Sequence, residues 1–159
     1  MKKEIKAFIM DVDGTMTDGK IYMGIQGEVL KAFNIKDGYG IHEILPRYNI
    51  KTAIITGRTS DIVLHRAKEL EIDYVFQNIK DKRALVQSLA EELCCDVAQF
   101  AYIGDDIIDI AAMQLCGITG CPADAALEVK AQCDYVSSKN GGDGAIRDFI
   151  EWLINENKM

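Results

Sequence analysis

The 159-residue chain has little proline, only Pro46 and Pro122, with one tryptophan and two histidines. It has no proline- or serine-rich tract, no low-complexity run and no internal repeat, which excludes an obvious linker and a solenoid. With His42 and His65 as its only histidines and no Cys-x-x-Cys pair, it lacks the ligand sets of common zinc sites. The five cysteines (Cys94, Cys95, Cys116, Cys121 and Cys133) are odd in number, and two are adjacent. They read as reduced core thiols of a cytosolic protein rather than a metal or redox site. Apolar runs end after about ten residues, too short to span a bilayer. The opening MKKEIKAFIMDVDG has neither the long apolar stretch nor the small-residue cleavage site of a secretory signal. Positive charge is scarce as well: 18 Lys and Arg against 25 Asp and Glu give a net charge of −7. Nucleic acids and anionic membranes both reward positive charge, so neither is expected as a partner. A small anionic substrate needs a local cation to offset this background.

What is present suits a folded domain. At 48% hydrophobic and 27% charged, the chain can bury a core, and its length fits a single domain over residues 1–159. Short apolar runs at Ala7 to Met10, Thr52 to Ile55, Tyr74 to Phe76, Phe100 to Ile103, Gly117 to Thr119 and Tyr135 to Val136 read as strands covered on both faces. Helical patterns lie between them at Ile41 to Tyr48, Asp61 to Leu70, Lys82 to Leu93, Ile108 to Leu115, Ala125 to Ala131 and Ala145 to Asn155. The alternation predicts an α/β fold, a doubly wound parallel sheet, with ligands at the carboxyl ends of the strands. One segment, about residues 20–35, has extended stretches around Gly24 and Gly27 and reads as a β-hairpin projecting from the sheet.

The unusual residues follow the apolar runs. The first run ends in Asp11-Val12-Asp13-Gly14-Thr15 and the fourth in Gly104-Asp105-Asp106-Ile107-Ile108-Asp109. Either cluster alone could be a solvated turn. Brought to one crevice by sheet neighbours, Asp11, Asp13, Asp105 and Asp109 repel: two like charges about 4 Å apart cost roughly 4 kcal/mol at an effective dielectric near 20. A hard divalent cation with oxygen ligands, Mg²⁺ above all, relieves that. The second run ends in Thr56-Gly57-Arg58, a hydroxyl, a flexible amide and a cation suited to phosphoryl oxygens, though equally a turn with a surface arginine. Lys82 opens a helix, where cations are disfavoured. It is either solvated or a counter-charge reaching into the acidic crevice.

As a set, DVDGT, Thr56, Lys82 and GDDIID resemble the four motifs of the haloacid dehalogenase superfamily of phosphohydrolases, a likeness running from about Phe8 to the end. The resemblance implies that Asp11 is the nucleophile taking the phosphoryl group and that Asp13 protonates the leaving oxygen and then activates water. It implies Mg²⁺ held by Asp11, the backbone carbonyl of Asp13 and Asp105, with Asp109 ordering metal-bound water. Thr56, the Gly57 amide and Lys82 would stabilise the transferring phosphoryl.

Between Thr56 and Lys82 there is no room for the cap domain usual in this superfamily. Between Asp13 and Thr56 only the hairpin and one helix fit. This resembles the capless subgroup, in which hairpins associate into a homotetramer and each subunit closes its neighbour's site. Ile21, Tyr22, Met23, Val29, Leu30 and Phe33 would suit such an interface, or else fold onto the chain's own core. Within the subgroup, Phe33 to Ile41, Thr56-Gly57-Arg58, Arg66 and the tail Gly141 to Arg147 resemble phosphatases of 3-deoxy-D-manno-octulosonate 8-phosphate. The likeness implies that Asn34, Ile35, Lys36, Asp37 and Gly38 contact the sugar, with Arg58 and Arg66 on one helix face meeting the acid's carboxylate. His42 stands where arginine is expected, and Asp143 where a basic residue often occurs. Related enzymes acting on nine-carbon sialic-type acid 9-phosphates tend to carry an acidic residue after Thr-Gly; Arg58 points to the eight-carbon acid. A receiver-like signalling domain shares the sheet, acids, Thr and Lys, but it has a different motif order and no hairpin. An inactive structural relative is disfavoured by the intact Asp11, Asp13, Lys82 and Asp105.

Overall fold

The six apolar runs become one parallel sheet in the computed structural model, which describes residues 4–159. Its strands are β1 (Ala7–Met10), β4 (Lys51–Ile55), β5 (Tyr74–Phe76), β6 (Phe100–Ile103), β7 (Ile118–Cys121) and β8 (Tyr135–Val136). Their order is β5-β4-β1-β6-β7-β8, every neighbouring pair parallel. β1 pairs with β4 on one side (Ala7 with Lys51) and β6 on the other (Ala7 with Phe100). The chain winds outward from β1 in both directions, so the strand order reverses at β1, and a crevice opens at the carboxyl ends there.

Both faces of the sheet are covered, which is why β1, β6 and most of β4 have no polar alternation. Phe8, Met10, Ile54 and Ile103 pack on one side against Ile41, Leu45, Val63, Phe149, Ile150 and Leu153. Ile9, Ile55, Phe100 and Tyr102 pack on the other against Val86, Leu89, Met113 and Val129. The helices are α1 (Ile35–Tyr39), α2 (Asp61–Glu69), α3 (Lys82–Glu92), α4 (Ile107–Met113), α5 (Leu127–Lys130) and α6 (Ala145–Asn155). Strand and helix bounds fall within two residues of the sequence pattern except in one region. The helix expected from Ile41 begins at Ile35 and continues through a wide turn, Gly40–Ile44, and a tight one, Leu45–Tyr48. Asn34 starts it early, its side chain accepting from the Lys36 and Asp37 amides at 2.8 and 3.4 Å. The buried Gly38 and Gly40 are retained there although glycine is a poor helix former, because Arg66 and Ile150 lie where a side chain would go.

The hairpin is present as β2 (Tyr22–Gly24) and β3 (Gly27–Leu30), a separate antiparallel pair. Between β1 and β4, and again between β4 and α3, no cap domain intervenes. Among the described residues no helix is long and apolar enough to cross a membrane. One expectation about the cysteines is corrected: Cys94 is exposed in the turn after α3, and of the five only Cys121 is buried.

Candidate active site

Asp11 directly follows β1, and its amide donates to the Ile103 carbonyl of β6 at 3.1 Å, so the two acidic clusters are stitched together at the sheet's edge. Gly14 turns the chain with φ 94°; a Cβ there would collide with the Asp105 carboxylate. Thr15 Oγ1 donates to Asp105 Oδ1 at 3.2 Å. The C-terminal loop presses on this turn from outside, the Gly142 amide donating to the Thr15 carbonyl, and no side chain fits at Gly141 beside the Gly14 carbonyl.

Lys82 reaches into the crevice. It is the first residue of α3, whose amino end is capped by Asp81 (Oδ1 to the Ala84 amide, 2.9 Å), so the helix does not need an acid where Lys82 stands. Its Nζ donates to Asp11 Oδ1 at 2.8 Å and Asp109 Oδ1 at 2.7 Å, with its side chain 3% exposed. Burial works against its charge, but the two carboxylates raise its pKa above the ordinary lysine value. Asp109 is fully buried. Its Oδ1 also accepts from Tyr102 Oη at 2.8 Å, and its Oδ2 from the Asp105 and Asp106 amides at 3.3 and 3.4 Å.

One oxygen each from Asp11, Asp105 and Asp109 lies within 4.8 Å of the others. Burial, then the neighbouring acids, push Asp11 up to about 6 and Asp105 up to about 8. Three carboxylates and one ammonium leave two negative charges uncompensated, which matches a hard divalent cation in charge and donor chemistry. Asp109 has both oxygens engaged by protein donors; Asp11 and Asp105 are the carboxylates left for an ion.

Thr56 is buried at the end of β4, beside β1, its Oγ1 accepting from the Arg58 amide at 3.3 Å and folding the Thr56-Gly57-Arg58 turn. Arg58 precedes α2 rather than lying on it, so the expected shared helix face with Arg66 is not formed. Its Nε stands 4.0 Å from Asp13 Oδ2 and its Nη2 3.5 Å from Glu28 Oε2. Arg66 lies on α2, 5.6 Å over the Phe33 ring and paired with Glu69 at 2.7 Å. His42 is not brought to the crevice. It sits between Glu43 and Glu71 and lines a cavity with Lys51 and Asp73, at the amino ends of the strands. The Asn34 to Gly38 segment is engaged largely by the fold. Asn34 caps α1, Ile35 and Lys36 are exposed, Asp37 accepts from the Arg147 amide of α6 at 2.9 Å, and Gly38 lets Arg66 pass. Asn34 and Lys36 line a cleft of about 490 Å³ with Lys139, Asp143 and Arg147.

Four residues of the crevice and its rim were not singled out in the sequence: Tyr102, Glu28, Ser60 and Lys31. Tyr102 reads as one more apolar strand residue, and only the need of a buried hydroxyl for a partner hints at more. Lys31 was hidden in the hairpin, where a lysine normally marks a solvated edge. Its Nζ donates to Asp13 Oδ1 at 2.5 Å.

Residues 75–150 match the model of a family described as haloacid dehalogenase-like hydrolase. The chain is 43% identical over 150 residues to the 3-deoxy-D-manno-octulosonate 8-phosphate phosphatase KdsC of Yersinia pestis, covering 94% of this chain and 80% of that one. It is 41% identical over 152 residues to the protein of the same name in Escherichia coli K12, covering 96% and 80%. Among solved structures, the Moraxella catarrhalis phosphatase of that name, in complex with magnesium, phosphate and KDO, superposes with a TM-score of 0.92 at 38% identity, covering 99% of this chain and 90% of that one. The cobalt-bound deoxy-D-mannose-octulosonate 8-phosphate phosphatase of Haemophilus influenzae gives 0.91 at 36%, covering 96% and 89%.

Proposed function

The chain belongs to the haloacid dehalogenase-like hydrolases, and from that membership we propose that it is a Mg²⁺-dependent phosphatase that hydrolyses 3-deoxy-D-manno-octulosonate 8-phosphate to the free sugar acid and phosphate. The observation that carries this is the convergence of Asp11, Lys82, Asp105 and Asp109 at the point where the strand order reverses. The names of the relatives support the eight-carbon acid over the nine-carbon one.

Asp11 attacks phosphorus through a carboxylate oxygen, giving an aspartyl-phosphate as the sugar's primary alcohol departs. Asp13, two residues on and at the rim of the crevice, gives that alcohol its proton. It then takes one from the water that cleaves the acyl phosphate and regenerates Asp11. Lys82 holds Asp11 in place and offsets charge on the transferring phosphoryl, as do Thr56 Oγ1 and the Gly57 amide; Asp109 and Tyr102 fix Lys82 in turn. Asp11, Asp105 and the Asp13 carbonyl would hold Mg²⁺, which would supply the positive charge that a dianionic ester needs to enter an acidic site. Arg58 is the cation at the rim for the acid's carboxylate. His42 and Arg66, paired elsewhere, have no part in this scheme within one subunit. The working form is a cytoplasmic homotetramer in which the exposed hairpin closes a neighbour's open crevice. Support comes from the absence of a cap domain and from the exposure of Tyr22, Met23, Val29 and Leu30.

Phosphate release with Mg²⁺ present, across eight- and nine-carbon keto acid phosphates and simple sugar phosphates, tests the proposal. The eight-carbon ester should lead, and Asp11→Asn should lose at least about 10³-fold while staying folded. A wild-type protein that releases no phosphate, or an active Asp11→Asn, overturns the scheme.

A further inference from the structure

Lys31 is buried in a place where the scheme above gives it no task. It comes directly after β3, on the stem of a hairpin whose Tyr22, Met23, Ile25, Val29 and Leu30 side chains face solvent, yet its own side chain is 1% exposed. Its Nζ donates to Asp13 Oδ1 at 2.5 Å and stands 3.1 Å from Glu28 Oε2. Holding a lysine this way costs about 2 kcal/mol of rotamer entropy besides its hydration, so the site must supply close opposite charge. Glu28 supplies part of it. Burial opposes its ionisation, but the neighbouring Lys31 ammonium and the Ser60 hydroxyl keep its carboxyl below the usual range. Ser60 Oγ, at the residue preceding α2, donates to Glu28 Oε1 at 2.9 Å, and Arg58 Nη2 lies 3.5 Å from Oε2. The hairpin stem is thus bolted to the α2 start through Glu28 and to the turn after β1 through Lys31.

Of the two Asp13 oxygens, Oδ1 is held by Lys31, whereas Oδ2 has, among the described residues, only Arg58 Nε at 4.0 Å, beyond hydrogen-bond range. Asp13 stands next to Gly14, on a turn whose backbone departs from helical geometry at both residues. With one oxygen fixed and the other unclaimed, the carboxylate has a defined orientation and one oxygen available for proton exchange. We propose that Lys31 is a positioning residue for Asp13: through it, the hairpin stem sets which carboxylate oxygen serves the leaving alcohol. This rests on the assignment of Asp13 as the acid. It is a different use of the hairpin from covering a neighbouring site, because it operates within one subunit.

The test compares kcat/KM on two esters, the full chain with Mg²⁺ being used throughout. kcat/KM covers the steps up to loss of the first product, where the leaving oxygen needs its proton. The sugar alcohol of 3-deoxy-D-manno-octulosonate 8-phosphate leaves only with that proton, whereas the nitrophenolate of p-nitrophenyl phosphate leaves without it. General acid assistance is worth about 10²–10⁴-fold. Lys31→Met should therefore lose about 100-fold or more on the sugar ester and less than about tenfold on the nitrophenyl ester, with Lys31→Arg restoring part of the difference. Because Lys31→Met also strands Glu28, the double variant Lys31→Met/Glu28→Gln, which removes that orphan charge, should show the same difference. Equal losses on both esters overturn the proposal, as does no loss on either. Variants whose circular dichroism collapses along with activity overturn it too, by making Lys31 purely structural. A wild-type protein inactive on both esters instead sinks the phosphatase assignment itself, so the two failures are told apart.

Discussion

Asp37 is 4% exposed beside the amino end of α6, its Oδ1 accepting from the Arg147 amide and its Oδ2 without a hydrogen-bond partner among the described residues. α6 is preceded by Gly144, with φ 102° and no side chain to cap the helix, and Asp37 does this from a distant part of the chain. Burial, against the pull of the α6 amides, pushes its carboxyl up to about 6. A folded-state value above the unfolded one means that the native chain binds the extra proton between about pH 4 and 6. Stability from this group is therefore greatest below about pH 4 and is lost as the pH rises through 6, by about 3 kcal/mol at most. Asp37→Asn keeps an oxygen for the cap and removes the titration. Urea unfolding at pH 4, 5 and 6 should show wild type losing more stability across that window than the variant; parallel curves would refute the assignment. The Asn-x-x-Asp-Gly motif was visible in the sequence, but this use of it was not, since its partner lies 110 residues away.

At the scale of elements, both outer strands begin the same way. Asp73 before β5 bonds the amide and hydroxyl of Thr52 at 2.9 and 3.1 Å, and Asp134 before β8 does so to Thr119 at 2.7 and 3.0 Å. The short edge strands, three and two residues long, are thereby pinned to β4 and β7 at the end away from the crevice. The hairpin differs from these anchored pieces. Met23 is 64% exposed, Val29 58% and Leu30 47%, and Ile25 at the tip is fully exposed. Phe33, expected at an interface, instead packs on the core under Arg66. Sedimentation at micromolar concentration should give a tetramer, and Met23→Glu/Ile25→Glu should give a folded monomer with a weakened KM, because charge at those positions disfavours an apolar contact. A monomeric wild type would rule out capping by a neighbour.

For the molecule as a whole, the acidic crevice couples metal, pH and stability. Without a cation, Asp11 at about 6 and Asp105 at about 8 both hold protons in the folded chain that the unfolded chain releases, so stability falls as the pH rises from about 4 to 8. Mg²⁺ competes with those protons for the same oxygens and should raise the melting temperature more at pH 8 than at pH 6. At one hundred times its Kd, the ion adds about 2.7 kcal/mol, roughly 5–10 °C for a chain of this size. Equal shifts at both pH values, or none, would count against a metal site built on Asp11 and Asp105.

The chain's local pattern determined the strands, most of the helices and the six chemistry-bearing positions after them. Those features depend on short-range periodicity and on the rule that a doubly wound sheet presents its carboxyl ends to ligands. Only the tertiary structure decided which charges meet. Lys31 turning inward to Asp13, Asp37 capping α6, Tyr102 bracing Asp109 and His42 lying at the opposite edge all depend on pairings across 7 to 110 residues. The hydrogen bonds and burial that settle such pairings exist only once the sheet has brought the segments together; no residue's neighbours in sequence encode them.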